Sequence, residues 1–197
     1  MRKSVLGIDL GTTQLAAALL VDDYPLPEVV YSYAESYPPK CNQQRAAEQV
    51  VAFLLDVWHG VCACHRDYEG MEWEWPSLVV AEEAWLQPAY GADAPKRKNP
   101  NTILPLGAAA GALVAFAIGD ASAHLLSALY VARETGTRTA NWTTDALIRT
   151  HGAKPDAWRG KRGGQGLWPH IASAIMLAEF GLSRYDVLVE GKEERAQ

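Results

Sequence analysis

Cysteine is scarce in this sequence, which has three in 197 residues: Cys41, Cys62 and Cys64. An odd and small number of cysteines does not form the paired disulfide framework of small secreted domains, so the chain suits a reducing compartment. His59 and His65 flank two of these cysteines. The four side chains crowd one end of a predicted helix and lack the two separated ligand pairs of a zinc site, which argues against zinc.

Long apolar runs are also absent. The longest, Leu106–Ile118, covers thirteen residues, and about 20 are needed to span a bilayer. The first residues lead directly into a strand pattern and do not resemble a signal peptide. These features predict a soluble cytoplasmic protein that does not interact with a membrane.

The sequence also lacks an excess of positive charge. The net charge of −5 argues against a generic nucleic-acid binder, whose footprint is normally basic. Two local basic clusters nevertheless stand out, and such patches bind phosphate even on an acidic chain. An alternative is that they only keep their loops soluble. The first cluster is Lys96, Arg97 and Lys98, followed by Asn99, and the second is Arg159, Lys161 and Arg162.

The hydrophobic pattern predicts one α/β domain over residues 1–188 and a charged tail over 189–197. The predicted strands come first along the sequence, and strands and helices then alternate. This order indicates a central mixed β-sheet flanked by α-helices. Leu125–Ala132 fits either a strand or a helix. The predicted strands are Val5–Leu10, Leu15–Val21, Val29–Tyr33 and Leu78–Ala81, and the predicted helices are Gln43–His59, Asn101–Ile118 with Asn101 as cap, Thr143–Thr150 and Pro169–Phe180.

Two acidic residues, Asp9 and Glu82, stand at the ends of predicted strands. Carboxylates brought together raise each other's pKa, and a divalent cation offsets this by taking oxygen ligands. Two such ions can activate water and stabilise the leaving oxygen of a phosphodiester. Spacing alone also allows a simpler interpretation, in which Asp9 starts a turn and Glu82 and Glu83 are solvated charges.

Four stretches stand out along the sequence: "GIDLGTT" (7–13), "SLVVAEEAWLQ" (77–87), "KNPNTILPLGAAAGALVAF" (98–116) and "PHIASAIMLA" (169–178). In this order they resemble the RuvC family of Holliday-junction resolvases, which have an RNase H-like fold. The first stretch is weakly specific, because actin-like ATPases and sugar kinases begin in almost the same way. The third stretch is the most telling, and the shared order argues against chance.

This resemblance implies a structure-specific endonuclease from a bacterium or phage that binds four-way DNA junctions as a homodimer. It would hydrolyse phosphodiesters with Mg²⁺ or Mn²⁺, two ions per site. By position, Asp9 would bridge the ions, Glu82 would be the second ligand, and His170 would ligate metal or orient the attacking water. Glu83 is disfavoured because successive strand side chains point to opposite faces. The two basic clusters would contact DNA phosphates, and small residues in Leu106–Ala117 would let two helices approach closely.

Ser173 departs from the family pattern, in which a carboxylate follows the His170 position by three residues. Residues three apart share a helix face, so the placement is consistent. A serine hydroxyl, however, is a poor ligand for a hard cation. Three explanations stay open: an active-site variant that lost its carboxylate, a natural enzyme that uses Asp9, Glu82 and His170 with water, or a degenerate member that binds branched DNA without cutting it.

Two further functions fit parts of the sequence. Gly11-Thr12-Thr13 suits an actin-like ATPase or phosphotransferase, but that architecture needs two domains and about twice this length. It also needs a second phosphate loop, for which Gly119-Asp120-Ala121 is a poor substitute. A non-nuclease RNase H-like protein of tRNA or ribosome maturation fits the first stretch and not Lys98–Phe116.

Overall fold

The computed structural model describes residues 3–11, 13–22, 27–38, 42–67, 76, 78–82, 100–117, 122–126 and 167–190. Over these ranges the chain forms strands and helices in the order β1 (Ser4–Asp9), β2 (Gln14–Val21), β3 (Glu28–Ser36), α1 (Gln43–Asp67), β4 (Leu78–Glu82), α2 (Pro100–Ala117), β5 (Ser122–Leu126), α3 (Trp168–Ser183) and α4 (Tyr185–Glu190). The division into a domain and a tail at residue 188 stays a prediction.

The five described strands form one mixed sheet in the order β3-β2-β1-β4-β5. β1, β2 and β3 pair antiparallel, whereas β4 runs parallel to both β1 and β5. This confirms the predicted hairpin and the mixed α/β sheet. The ambiguous segment from Leu125 begins inside a strand, since β5 covers Ser122–Leu126, and residues 127–132 lie outside the described ranges.

Side chains of the central strands alternate between two hydrophobic cores, as a period of two requires. In β1, Leu6 and Ile8 face the core formed with α1 and α2, and Val5 faces the core formed with α3. β4 alternates in the same way. The sheet is therefore sandwiched between α1 and α2 on one face and α3 on the other, which is why its central strands β1, β2 and β4 are predominantly apolar.

The helix starts follow local capping chemistry. Asn42 caps α1, because its Oδ1 accepts a hydrogen bond from the backbone N–H of Arg45 at 2.8 Å. The prediction that Asn101 caps α2 is wrong, since that helix begins at Pro100. Proline suits the first helical position, where its fixed φ is helical and its missing N–H costs nothing. α1 also continues eight residues beyond the predicted His59, to Asp67.

α3 approaches the sheet very closely at Gly7 of β1. A Cβ added to Gly7 would fall on the carbonyl oxygen of Ala174 and lie 2.6 Å from the backbone nitrogen of Ala178. Ile171 and Ile175 of this helix are fully buried against the sheet. Glycine in the strand and alanine in the helix therefore set the distance at which α3 sits on β1.

Within the described part of the chain, no helix has the length and hydrophobicity needed to cross a membrane.

Candidate active site

Asp9 and His170 meet at one edge of the sheet. Asp9 is the last residue of β1, and His170 lies in the first turn of α3. Asp9 Oδ2 and His170 Nδ1 are 2.7 Å apart, and the two side chains are 14% and 30% exposed. This is the distance of a strong, charge-assisted hydrogen bond. The pair is well packed but open to solvent, as a site for an external ligand must be.

Chain topology explains why residues 161 positions apart come together. Val5, Gly7 and Asp9 occupy alternate positions of β1, on the face that α3 covers. The close approach at Gly7 draws α3 down onto that face. The first turn of α3 then lies beside the carboxyl end of β1, where the positive end of the helix dipole also favours an anionic side chain.

The pKa of His170 is raised above its ordinary value of 6.5, first of all by the hydrogen bond with Asp9. Partial burial lowers this pKa, because it disfavours the charged imidazolium, and the negative charge of Asp9 raises it further. The direction of the shift means that Asp9 stabilises the protonated, charged form of His170 when no cation competes for the carboxylate.

The pH dependence of the metal-free protein tests this pair. A raised folded-state pKa means that protonation of His170 favours the folded state, so its stabilisation is complete below about pH 6.5. That stabilisation is lost as the pH rises through the folded-state pKa. In EDTA we expect the unmodified protein to lose more stability between pH 6 and 9 than His170→Gln, measured by urea unfolding.

The imidazole titration, followed by NMR, is the direct measurement. Asp9→Asn should lower the pKa of His170, because it removes the negative charge and keeps the shape of the side chain. Asp22→Asn, an exposed position after β2, is the matched control and should leave the titration in place. A His170 that titrates at or below 6.5 in the unmodified protein would contradict the ion pair.

The backbone register places Glu82 next to Asp9. Ile8 of β1 pairs with Ala81 of β4, so Asp9 and Glu82 each follow a paired residue on neighbouring parallel strands. Glu82 itself pairs with Leu126 of β5 and is the last residue of its strand. The two sequence-predicted acids therefore end adjacent strands at the same edge of the sheet.

Ser173 lies one helical turn beyond His170 and is half-buried. Both residues lie in α3, so they share a face of that helix, and the role of Ser173 stays a prediction. The basic residues predicted to bind DNA lie outside the described ranges; they are Lys96, Arg97, Lys98, Asn99, Arg159, Lys161 and Arg162.

The chemistry of the donor atoms suits a divalent cation. Neighbouring ligands of an octahedral Mg²⁺, at 2.0–2.1 Å from the ion, lie about 3 Å apart. Asp9 Oδ2 and His170 Nδ1 are already close to that separation. Among the described residues no three His, Cys, Asp or Glu form a metal-binding group. The described residues therefore bring two such donors together, Asp9 and His170.

Comparison with solved structures identifies the architecture. The RuvC of Thermus thermophilus in complex with a Holliday junction substrate aligns with a TM-score of 0.60 and 15% identity, covering 94% of this chain and 97% of that one. A second T. thermophilus RuvC structure aligns with a TM-score of 0.55 and 17% identity, covering 92% and 94%. The chain has the RuvC-like resolvase fold.

A viral structure aligns with this RuvC-like fold as well. The Fowlpox virus resolvase, in complex with its substrate Holliday junction DNA, gives a TM-score of 0.50 and 13% identity over 92% of this chain and 98% of that one. No protein-family model and no curated protein matches the sequence. At these identities the similarity establishes the fold, and it confirms the RNase H-like architecture predicted from the four stretches.

Gly7 helps to form the site, because it lets α3 approach β1 closely. In the sequence it stands only as the first residue of the stretch 7–13, and its role was not predicted. A glycine inside an otherwise apolar strand is a known signal of close backbone approach. That signal indicates the contact with α3 without identifying the partner, because the partner lies at the other end of the chain.

Proposed function

We propose that this chain is a metal-dependent endonuclease that binds four-way DNA junctions and hydrolyses phosphodiester bonds near the crossover. The observation that carries the proposal is the contact of Asp9 with His170 at the carboxyl end of β1, within a RuvC-like fold. An aspartate and a histidine converge there at a solvent-accessible edge, next to the strand end of Glu82. Carboxylate and imidazole donors can hold a divalent cation, and such a cation can promote the hydrolysis of a phosphodiester.

In this proposal Asp9 and Glu82 hold Mg²⁺ or Mn²⁺, two ions per site. A bound divalent ion lowers the pKa of water and neutralises charge on the leaving oxygen. Strand alternation favours Glu82 over Glu83 as the ligand. His170 either joins the ligands or orients the attacking water. The ligand role would need the lone pair of Nδ1, so in that role the imidazole would be neutral and its proton would be held on Nε2.

Junction DNA is the proposed substrate because two of the structural neighbours are complexes with Holliday junction DNA. We propose that the two basic clusters, at 96–98 and 159–162, position the arms by contacting phosphates, which carry no sequence information. Binding through such contacts on an acidic chain should weaken steeply with added salt.

The decisive experiment incubates an end-labelled synthetic four-way junction with the protein and either Mg²⁺ or Mn²⁺. Nicks near the crossover, absent with EDTA and absent on linear duplex of the same sequence, are expected. Binding to the junction without any nick in either metal would overturn the nuclease proposal. It would instead favour the second candidate, a non-cleaving branched-DNA-binding module of the same fold, which Ser173 supports.

A substitution at Ser173 separates these candidates further. Ser173→Asp restores a carboxylate on the face of α3 that carries His170. We expect it to create or increase Mg²⁺-dependent junction cleavage, by about tenfold or more, because a carboxylate is a far better ligand for a hard cation than a hydroxyl. Ser173→Asn, similar in shape but neutral, is the matched control. Unchanged cleavage in Ser173→Asp would contradict the assignment of this position to the site.

We further propose that the active form is a homodimer, because a junction has two strands to be nicked and a two-fold dimer presents two identical sites. The outer face of α2 supports this. The helix has no charged residue, Leu104 is 56% exposed, and a Cβ added at Gly107 or Gly111 would meet nothing within 4 Å. That surface is apolar and smooth enough for a second α2 to pack closely.

Gly111→Glu tests the dimer. In the monomer the new side chain enters open space, so the fold should be kept, whereas a charge buried between two α2 helices should dissociate them. We expect sedimentation to show a monomer for Gly111→Glu and a dimer for the unmodified protein. Ala52→Glu, on an exposed position of α1, is the control and should stay dimeric. A dimer in all three proteins would rule out this face.

A further inference from the structure

Three polar side chains form a hydrogen-bonded row at the end of β3. Tyr33, Glu35 and Tyr37 alternate along the chain, so they lie on one face of the sheet, and both tyrosines pack against the core beneath α1. Oε2 of Glu35 accepts a hydrogen bond from each tyrosine hydroxyl, at 3.1 Å in both cases. A single carboxylate therefore joins the two tyrosines and holds the last residues of β3 in one arrangement.

The row is anchored to α1 at one end. The ring of Tyr33 stacks on Phe53, with 5.5 Å between the ring centroids, and its hydroxyl also lies 3.4 Å from Oδ2 of Asp56. The pKa of Tyr33 is raised, first by burial and then by the negative charges of Glu35 and Asp56. The hydroxyl therefore keeps its proton around neutral pH and remains a hydrogen-bond donor.

At its other end the row reaches the strand end that carries Asp9. Because β2 pairs antiparallel with both β1 and β3, those two strands end at the same edge of the sheet. Ala16 of β2 pairs with Asp9 on one side and with Ala34 on the other. Just beyond the strands, the backbone N–H of Tyr37 donates to the carbonyl oxygen of Thr13 at 2.7 Å. The end of β3 thus holds the turn that follows Asp9 and the first residues of β2.

This row is a costly way to fill the end of an edge strand. In the described sheet β3 has a neighbouring strand on one side only, and strand ends of that kind fray easily. Tyr33, Glu35 and Tyr37 are half-buried, so their polar groups lose contact with water and need partners. Apolar side chains would avoid that cost. Directional hydrogen bonds instead fix one geometry, which is what a strand end behind a reaction site needs.

We propose that Glu35 is a positioning residue for the candidate site. By accepting from both tyrosines it fixes the end of β3, and through the hydrogen bond from Tyr37 to Thr13 it fixes the turn behind Asp9. Glu35 lies on the α1 face of the sheet, opposite to the face of Asp9, so it acts through the backbone between them. The inference rests on the proposed nuclease function and adds a residue that controls how the catalytic carboxylate is held.

Cleavage measurements test this role. Glu35→Ala removes the accepting oxygen, and single-turnover cleavage of the four-way junction should become about tenfold slower, because small displacements of a catalytic group are costly. Junction affinity should stay within about twofold, since no basic residue is changed. Glu35→Gln keeps an accepting oxygen in the same place and should restore the rate to within about threefold. Glu28→Ala, at the opposite end of β3, is the matched control and should cut at the normal rate.

Amide hydrogen exchange, followed by NMR without metal or DNA, measures the contact itself. The Tyr37 amide is bonded to Thr13, and its exchange should be about tenfold faster in Glu35→Ala than in the unmodified protein, because the strand end opens more often. Glu35→Gln and Glu28→Ala should leave this exchange rate unchanged. If Glu35→Ala does not fold, Tyr37→Phe, which removes only the hydroxyl, takes its place in both experiments.

The outcomes separate the inference from the function beneath it. Slower cleavage together with faster Tyr37 exchange in Glu35→Ala, both reversed in Glu35→Gln, supports the inference. If Glu35→Ala cuts the junction at the normal rate, or if its Tyr37 exchange is unchanged, the inference is overturned and the nuclease stands. An equal loss of cleavage in Glu35→Gln or in Glu28→Ala also overturns it. If the unmodified protein cuts no junction with either metal ion, the nuclease proposal is overturned and the inference falls with it.

Discussion

Asp9→Asn should bind a four-way junction as the unmodified protein does and cut it on the order of 10³-fold more slowly. The amide keeps the size of the carboxylate and its hydrogen-bonding contact with His170, so the edge of the sheet should stay in place. It removes the one described negative charge that touches His170. An amide oxygen is a weaker ligand for a divalent cation than a carboxylate, so chemistry should suffer far more than binding.

The matched control is Asp22→Asn, which makes the same chemical change at an exposed position just after β2. We expect its cleavage rate to stay within about twofold of the unmodified protein, since surface substitutions away from a site usually have small effects. Equal cleavage by Asp9→Asn and Asp22→Asn, measured at saturating protein in a single turnover, would remove Asp9 from the chemistry and with it the proposed site.

Gly7→Ala should destabilise the protein by about 3 kcal/mol or more, because the added methyl overlaps backbone atoms of α3 and not the end of a flexible side chain. α3 would have to move away from β1 to accommodate it. For a chain of this size the melting temperature should fall by roughly 6–12 °C. Protein that still folds should also lose cleavage, since a displaced α3 separates His170 from Asp9.

Gly107→Ala is the control for the predicted loss of stability in Gly7→Ala. Its Cβ would enter open space on the outer face of α2, and alanine is a better helix former than glycine by about 1 kcal/mol. Calorimetry at low protein concentration should show an unchanged or slightly raised melting temperature. A Gly7→Ala protein as stable as Gly107→Ala would mean that α3 is not held against β1 as described.

Much of the sheet could be predicted because its strands are short, apolar and separated by turn residues. The hairpin of β1 and β2 follows directly from the runs on either side of Gly11. The third strand is longer than its apolar run, reaching Ser36 where the prediction ended at Tyr33. Tyr33 stacks on Phe53 of α1, and its hydroxyl donates to Glu35 at 3.1 Å. Backbone pairing of residues 34–36 with residues 14–16 of β2 extends β3 past its apolar run.

Asp9 and His170 can be singled out from the resemblance, but their contact cannot be predicted. Their hydrogen bond depends on the clearance at Gly7, and the glycine signals a close backbone approach without identifying the distant helix that makes it. The start of α2 was mispredicted for a local reason. Asn101 is a good capping residue, but the helix begins one residue earlier, at Pro100, and proline fits the first position of a helix.

The Asp9–His170 hydrogen bond also constrains when the site can form. The two partners are separated by 161 positions in the sequence. During translation the pair cannot close until α3 has left the ribosome and docked on a sheet that is already paired. A growing polypeptide therefore carries only half of the couple until α3 has been made, and whatever reactivity depends on the pair is withheld until then.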